Sequence, residues 1–142
     1  METGLPGKNE TAPSGATILV ADDSDAIRTR LISLIQHVPG VSAILSASNA
    51  REVLDQLEKA RPGLALVDVH LGDGGGGLFR RIKQEHPGVT LVALMRYPVP
   101  QVATIYRIYG ADHCFDKTTE VDAILETVTQ SVLKKEPEGD RP

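Results

Sequence analysis

Tryptophan is missing from this 142-residue chain, and cysteine occurs once, at Cys114. A single thiol excludes an internal disulfide, so a reducing, cytoplasmic compartment is expected. Cys114 precedes Phe115 in a short apolar run, where a small core residue is the reading to prefer over a reactive thiol. No span of about 20 apolar residues and no charged-apolar-small leader interrupts or precedes the pattern, so neither a membrane span nor a signal peptide is expected. Positive charge is scarce too: the net charge is -4, and the longest basic run at the ordered end is Lys134-Lys135. Nothing there would track a phosphate backbone, which argues against direct nucleic-acid binding.

What is present suits one α/β domain. With 41% apolar and 24% charged residues, the chain can bury one continuous core and has no room for a second domain. Residues 1–15 mix Gly, Pro, Thr, Asn and Lys without hydrophobic periodicity, and residues 135–142 read similarly; both are expected to be flexible tails around a domain at 16–134.

Five short apolar runs, at residues 17–21, 43–46, 64–69, 90–95 and 113–115, alternate with five helical patterns. The runs are mostly continuous rather than alternating in polarity, as in strands buried on both faces of a parallel sheet. The first helix is expected to start at Asp23-Ser24, carry Ile27, Leu31, Leu34, Ile35 and Val38, and stop at Pro39-Gly40. Asn49 should cap the second, which carries Val53, Leu54 and Leu57 and ends at Arg61-Pro62-Gly63. The third holds Leu78, Phe79 and Ile82. Val102, Ile105, Tyr106 and Tyr109 mark the fourth, closed by Gly110 in a left-handed conformation. Val121, Ile124, Leu125, Val128 and Val132 mark the fifth. Strict β-α alternation in so short a chain predicts a (βα)5 doubly wound, five-stranded parallel sheet in the flavodoxin-like order 2-1-3-4-5, with its ligand crevice at the carboxyl ends of the strands.

Those ends carry charge. Asp22 and Asp23 follow the first run, Asp68 lies at the end of the third, and Lys117 stands just beyond the fifth. Singly, an Asp pair after a strand is a helix cap in water and a strand-end Lys is a solvated charge. Asp68 is different, because it closes the run Leu64-Ala65-Leu66-Val67, near a core where an unpaired charge costs several kcal/mol. In the predicted strand order the four side chains converge. Three adjacent carboxylates raise one another's pKa unless a cation sits among them. Oxygen-only ligands with room for water suit Mg²⁺, with Mn²⁺ as the alternative, and Lys117 would set a point charge against a phosphoryl oxygen.

This order and spacing resembles the response-regulator receiver family over about residues 16 to 134. The resemblance implies that Asp68 is the phosphoacceptor, that Asp22 and Asp23 are the acidic metal pair, that Lys117 is the family's lysine, and that the backbone carbonyl of His70 is a further metal ligand. Residues 94–100 and 110–120 look like those of stand-alone receivers without an output domain. The glycine-rich segment 72–77 occupies the loop after the acceptor; it lacks the Lys-Ser/Thr ending of a P-loop and reads as a connector.

The chain departs from the family at the switch. Met95 stands where the family has Thr or Ser, and its thioether cannot donate a hydrogen bond. Arg96 stands where a small residue is usual; it could grip a phosphoryl group as a fork or narrow access to it. The rotating aromatic three residues before the lysine is replaced by Cys114. Thr118 follows Lys117 where Pro is common, so a cis bond is not expected. His70 and Tyr97 occupy positions that influence the lifetime of the acyl phosphate: Tyr97 could cover the phosphoryl group, while His70 could order a water, cap the crevice or simply be solvated.

Three functions compete. The first is a single-domain response regulator that takes a phosphoryl group from a sensor histidine kinase or histidine phosphotransfer protein and signals to a downstream protein. Its output face would be the fourth strand, fourth helix and fifth strand, with Tyr106 and Tyr109 on that helix. The second is a pseudo-receiver, an interaction module independent of phosphorylation, which Met95 and Cys114 favour. The third is a haloacid-dehalogenase-like phosphatase, which would need a second Asp two residues after the nucleophile. His70 is there instead, so a phosphoacceptor rather than a turnover enzyme is expected.

Overall fold

A computed structural model of the chain describes residues 16–72, 76–96 and 99–135. The expected tail at 1–15, residues 136–142 of the tail expected at 135–142, residues 73–75 of the glycine-rich segment and Tyr97 lie outside the described residues. The elements alternate as expected: β1 (Ala16–Ala21), α1 (Asp25–Ile35), β2 (Val41–Ala47), α2 (Ala50–Ala60), β3 (Leu64–Asp68), α3 (Gly77–Glu85), β4 (Thr90–Met95), α4 (Pro100–Ile108), β5 (His113–Asp116) and α5 (Val121–Lys135). The last helix runs one residue into the segment expected to be a tail.

The five strands are parallel in the order β2-β1-β3-β4-β5. Alternate side chains of the central strands serve two cores, because successive strand residues face opposite ways. Leu19, Ala21, Ala65, Val67, Leu91, Ala93 and Met95 pack with Val53, Leu57, Phe79, Ile82 and Tyr106 from α2, α3 and α4. Ile18, Val20, Leu64, Leu66, Val92 and Leu94 pack with Leu31, Ile35, Ile124, Val128 and Val132 from α1 and α5. β1, β3 and β4 are thus buried on both faces, as their continuous runs require. The outer strands differ: β2 leaves Ser42, Ala43 and Ser46 exposed, and β5 leaves His113 exposed, because each has a neighbour on only one side.

Local chemistry sets the helix ends. Ser24 accepts from the Ile27 amide and starts α1; Asn49 accepts from the Glu52 amide and starts α2. Arg61 ends α2 with a left-handed φ of 48°, a role that glycine usually takes. Gly110 turns the chain after α4 at φ +120°, where a Cβ would also strike the Lys83 side chain. Val102 and Tyr106 of α4, with Tyr109 just past its end, face inward, whereas Ile105 and Ile108 are 43% and 75% exposed. The periodic apolar pattern groups Ile105 with the inward residues, and the structure turns it outward. Tyr106 lies on α4, as expected, and its side chain is buried on the inward face of that helix.

Gly76, which caps α3, is buried against the Tyr109 ring so closely that a Cβ there would overlap three ring atoms. Gly76→Ala is therefore expected to lower stability by about 1–3 kcal/mol, the usual cost of overpacking. Urea denaturation of the two proteins checks this, and a loss within about 0.5 kcal/mol would mean that the ring moves aside freely.

Candidate functional site

Strand register brings the charged residues together. Ala21 pairs with Val67, Asp68 with Leu94, and Met95 with Asp116, so Asp22, Asp68, Arg96 and Lys117 emerge at the same end of the sheet. Asp22, Asp68 and Lys117 are buried, at 0%, 1% and 6% exposure, while Asp23 is exposed. One carboxylate oxygen from each of Asp22, Asp23 and Asp68 lies within 4.8 Å of the others.

Asp22 is held from several sides. Its Oδ1 accepts from the Ser24 amide at 2.9 Å and its Oδ2 from Lys117 Nζ at 2.8 Å. Arg28 Nη1 donates to its backbone carbonyl at 2.5 Å, and the same guanidinium pairs with Asp25. Asp68 is less satisfied. Lys117 Nζ stands 3.3 Å from its Oδ1 and His70 Nδ1 3.7 Å away, yet that buried oxygen accepts no hydrogen bond among the described residues. Lys117 thus makes its shorter contact with Asp22, at 2.8 Å, and the longer one, at 3.3 Å, with Asp68. Burial pushes the Asp68 carboxyl above the usual range, the Asp22 charge adds to the push, and Lys117 opposes it. This is the balance expected of crowded carboxylates with one cation too few.

The lysine is positioned by the turn behind it. Asp116 Oδ1 accepts from the Thr118 amide and hydroxyl, both at 2.8 Å, and from the Thr119 amide at 3.0 Å, and the Lys117 amide donates to the Met95 carbonyl. Asp116 therefore does the capping work after β5, and no described peptide bond is cis. His70 is exposed, on a turn closed by the Leu71 amide donating to the Asp68 carbonyl at 3.2 Å. Its backbone carbonyl is part of that turn.

The remaining switch positions divide. Met95 is 2% exposed and belongs to the α2-α3-α4 core. Arg96 is exposed just past β4. Cys114 is half-buried, its Sγ donates to the Ala103 carbonyl of α4 at 3.5 Å, and burial raises its thiol pKa, which fits a core residue and not a reactive thiolate.

Arg28 and Asp116 were not foreseen. Each had a local signal: Arg28 lies three residues after Asp25 on a helix, and Asp116 precedes Thr-Thr-Glu, a turn-and-cap sequence.

A parallel sheet in this order, with acids and a lysine gathered at its carboxyl end, defines a flavodoxin-like doubly wound domain whose chemistry sits at one edge. Over residues 18–129 the chain matches the response regulator receiver domain, and it belongs to that family. The transcriptional regulatory protein DpiA of Escherichia coli is 38% identical over 80 residues, which are 55% of this chain and 34% of that protein. The response regulator GacA of Pseudomonas viridiflava is 30% identical over 78 residues, 54% of this chain and 36% of that protein. The chain spans about a third of the length of these curated relatives. A CheY-like receiver domain protein from Methanospirillum hungatei has the same fold at TM-score 0.73 and 23% identity, with 85% and 96% of the two chains covered. The receiver domain of a DNA-binding response regulator from Colwellia psychrerythraea superposes at TM-score 0.76 and 21% identity, over 83% and 98%.

The family acts in two-component signalling as a phosphoacceptor module, exchanging contacts with histidine kinases and downstream effectors. Its receivers bind Mg²⁺ at an acidic cluster, and the residues here fit such an ion: the donors are all oxygens, three carboxylates converge, and a buried Asp68 oxygen has no hydrogen-bond partner among the described residues. Among the described residues no helix is long and apolar enough to cross a membrane.

Proposed function

We propose that this chain is a cytoplasmic, single-domain response regulator that takes a phosphoryl group onto Asp68 from the phosphohistidine of a sensor kinase or histidine phosphotransfer protein. The observation that carries the reading is the buried Asp68 carboxylate, one oxygen of which accepts no hydrogen bond among the described residues while an ammonium stands 3.3 Å away. A free lone pair on a held carboxylate is what a nucleophile needs. In the transfer a carboxylate oxygen of Asp68 bonds to phosphorus as the phosphorus–nitrogen bond of the donor breaks, and the departing imidazole recovers a proton from solvent.

Asp22, Asp23, Asp68 and the His70 carbonyl would hold the Mg²⁺. When bound, the ion keeps the carboxylates ionised and offsets charge on the transferred oxygens. Lys117 contributes a fixed positive charge beside the acceptor. Arg96, exposed just past β4, would either meet a phosphoryl oxygen or restrict which donors enter. Tyr97 and His70 are assigned to the lifetime of the product. The product is the phosphoprotein itself, not a released small molecule, and the output is a changed protein-binding surface around β4, α4 and β5, without direct nucleic-acid contact.

Intact-mass spectrometry tests this. After incubation with Mg²⁺ and a small acyl phosphate, the wild type should gain one phosphoryl adduct that EDTA prevents and Asp68→Ala lacks. If small donors fail, a phosphohistidine protein donor replaces them, because an Arg96 that restricts entry would exclude small donors without preventing transfer from the partner protein.

A second reading is favoured by one observation: Met95 is buried and Cys114 bonds to α4, so the hydroxyl and rotating aromatic of the usual switch are both missing. In that reading the fold is a pseudo-receiver whose partner binds irrespective of phosphorylation. Mg²⁺ binding without an adduct from either donor would select it.

A further inference from the structure

The aromatic missing from β5 has a counterpart on α4. Tyr106 is 7% exposed, and its ring packs edge-on against Phe79 at 5.1 Å and against Tyr109 at 5.5 Å. A buried tyrosine needs a partner for its hydroxyl, and this one donates to the carbonyl of Val69 at 3.3 Å, across 37 positions of sequence. Val69 is the residue immediately after Asp68. Its amide donates to the Leu94 carbonyl at 3.0 Å, and the Leu71 amide closes the turn onto the Asp68 carbonyl. The Val69 carbonyl shares one rigid peptide plane with the His70 amide, so a donor on that oxygen fixes the orientation of the turn that carries both the acceptor and the His70 carbonyl.

Ala103 and Tyr106 lie three positions apart, on one side of α4. Through that side the helix meets β5, by the Cys114 thiol, and the end of β3, by the Tyr106 hydroxyl. Met95, Tyr106 and Cys114 meet in the same apolar core. The thiol is a weak donor, so the phenol is the stronger of these two polar links, and it is the one that reaches the acceptor turn.

We propose that Tyr106 is a positioning residue for the turn Asp68–Leu71 and, through the Val69 carbonyl, the link by which α4 responds to the state of the acceptor. The second half rests on Asp68 being the phosphoacceptor; the first half does not. Coupling of this kind is reciprocal: whatever repositions the turn biases α4, and loosening the contact from the α4 side loosens the turn.

Tyr106→Phe keeps the ring and removes the hydroxyl. Amide hydrogen exchange of the full chain, resolved by residue, provides two comparisons. In EDTA, amides of residues 69–72 should exchange about two- to tenfold faster in the variant, the size of one net hydrogen bond, while those in the centre of β1 stay unchanged. Equal exchange at the turn, or equal acceleration in β1, would overturn the positioning role. With Mg²⁺ and beryllium trifluoride, an acyl-phosphate mimic, the wild type should change exchange at both 69–72 and 100–109, and the variant at 69–72 alone. A variant whose α4 response equals that of the wild type, or a wild type that responds at the turn and not in α4, overturns the link. A wild type that fails to respond even at the turn counts against the phosphoacceptor reading and with it the link, while the EDTA comparison still decides the positioning role.

Discussion

Replacing Lys117 with methionine is expected to lower the unfolding free energy in metal-free buffer by about 3–5 kcal/mol, the loss seen when one partner leaves a buried ion pair. Lys117 is 6% exposed; it bonds Asp22 Oδ2 at 2.8 Å and stands 3.3 Å from Asp68 Oδ1. Methionine fills much of the same channel with an unbranched chain, so the loss reports charge rather than a cavity. Without the ammonium, two buried carboxylates face each other and the exposed Asp23. One escape is open to the native protein: it can take up a proton, which makes the penalty smaller at low pH. The other is a divalent cation. Lys117 competes with any cation for Asp22, so Mg²⁺ should stabilise Lys117→Met more than it stabilises the wild type. Urea melts with EDTA and with Mg²⁺ measure both effects. A loss under about 1 kcal/mol without metal would mean that the lysine is hydrated and the cluster tolerates its own repulsion.

The same cluster marks how far the sequence could be read. The runs of β1, β3 and β4 were legible because strands with a neighbour on each side and helices on each face admit little besides apolar residues, and Asp68 stood out by breaking that rule. β2 and β5 were less so, since an edge strand need bury only part of each side chain. Convergence of Asp22, Asp68 and Lys117 followed from strand order, which β-α alternation constrains strongly. The interactions that aim these groups were harder to see. The Lys117–Asp22 bond spans 95 positions and the Tyr106–Val69 bond 37, and neither leaves a local pattern. Helical periodicity put Ile105 and Tyr106 in the same set, but only packing against Phe79 and Tyr109 decides that the phenol turns in and the isoleucine out. The departures at Met95 and Cys114 have meaning only beside the family pattern, because a buried Met or Cys in a core is otherwise ordinary.

The burial of Asp68 gives the second large effect, and its sign follows from proton linkage. The native pKa is raised by desolvation and by Asp22, whereas the unfolded value stays near 3.9. Between the two the native state holds more protons than the unfolded one, so this group's contribution to stability falls as pH rises through that window and then levels off. Asp68→Asn removes the titration and retains the size and shape of the side chain; its amide can also donate towards Asp22 or Asp23. In EDTA the variant should therefore be more stable than the wild type near neutral pH by about 1–3 kcal/mol, the range for relieving an unsatisfied buried polar group. The advantage should vanish below the unfolded Asp value and grow as pH rises through the native one. Mg²⁺ should shrink it from the other side: at 100 times its dissociation constant the ion stabilises the wild type by about 2.7 kcal/mol, and the variant, lacking one ligand charge, by less. Thermal or urea melts of the pair from acid to neutral pH, with and without Mg²⁺, measure the difference. An advantage that is constant with pH would assign the effect to packing, and a variant less stable than the wild type in EDTA would mean that the Asp68 carboxylate is already well compensated by Lys117.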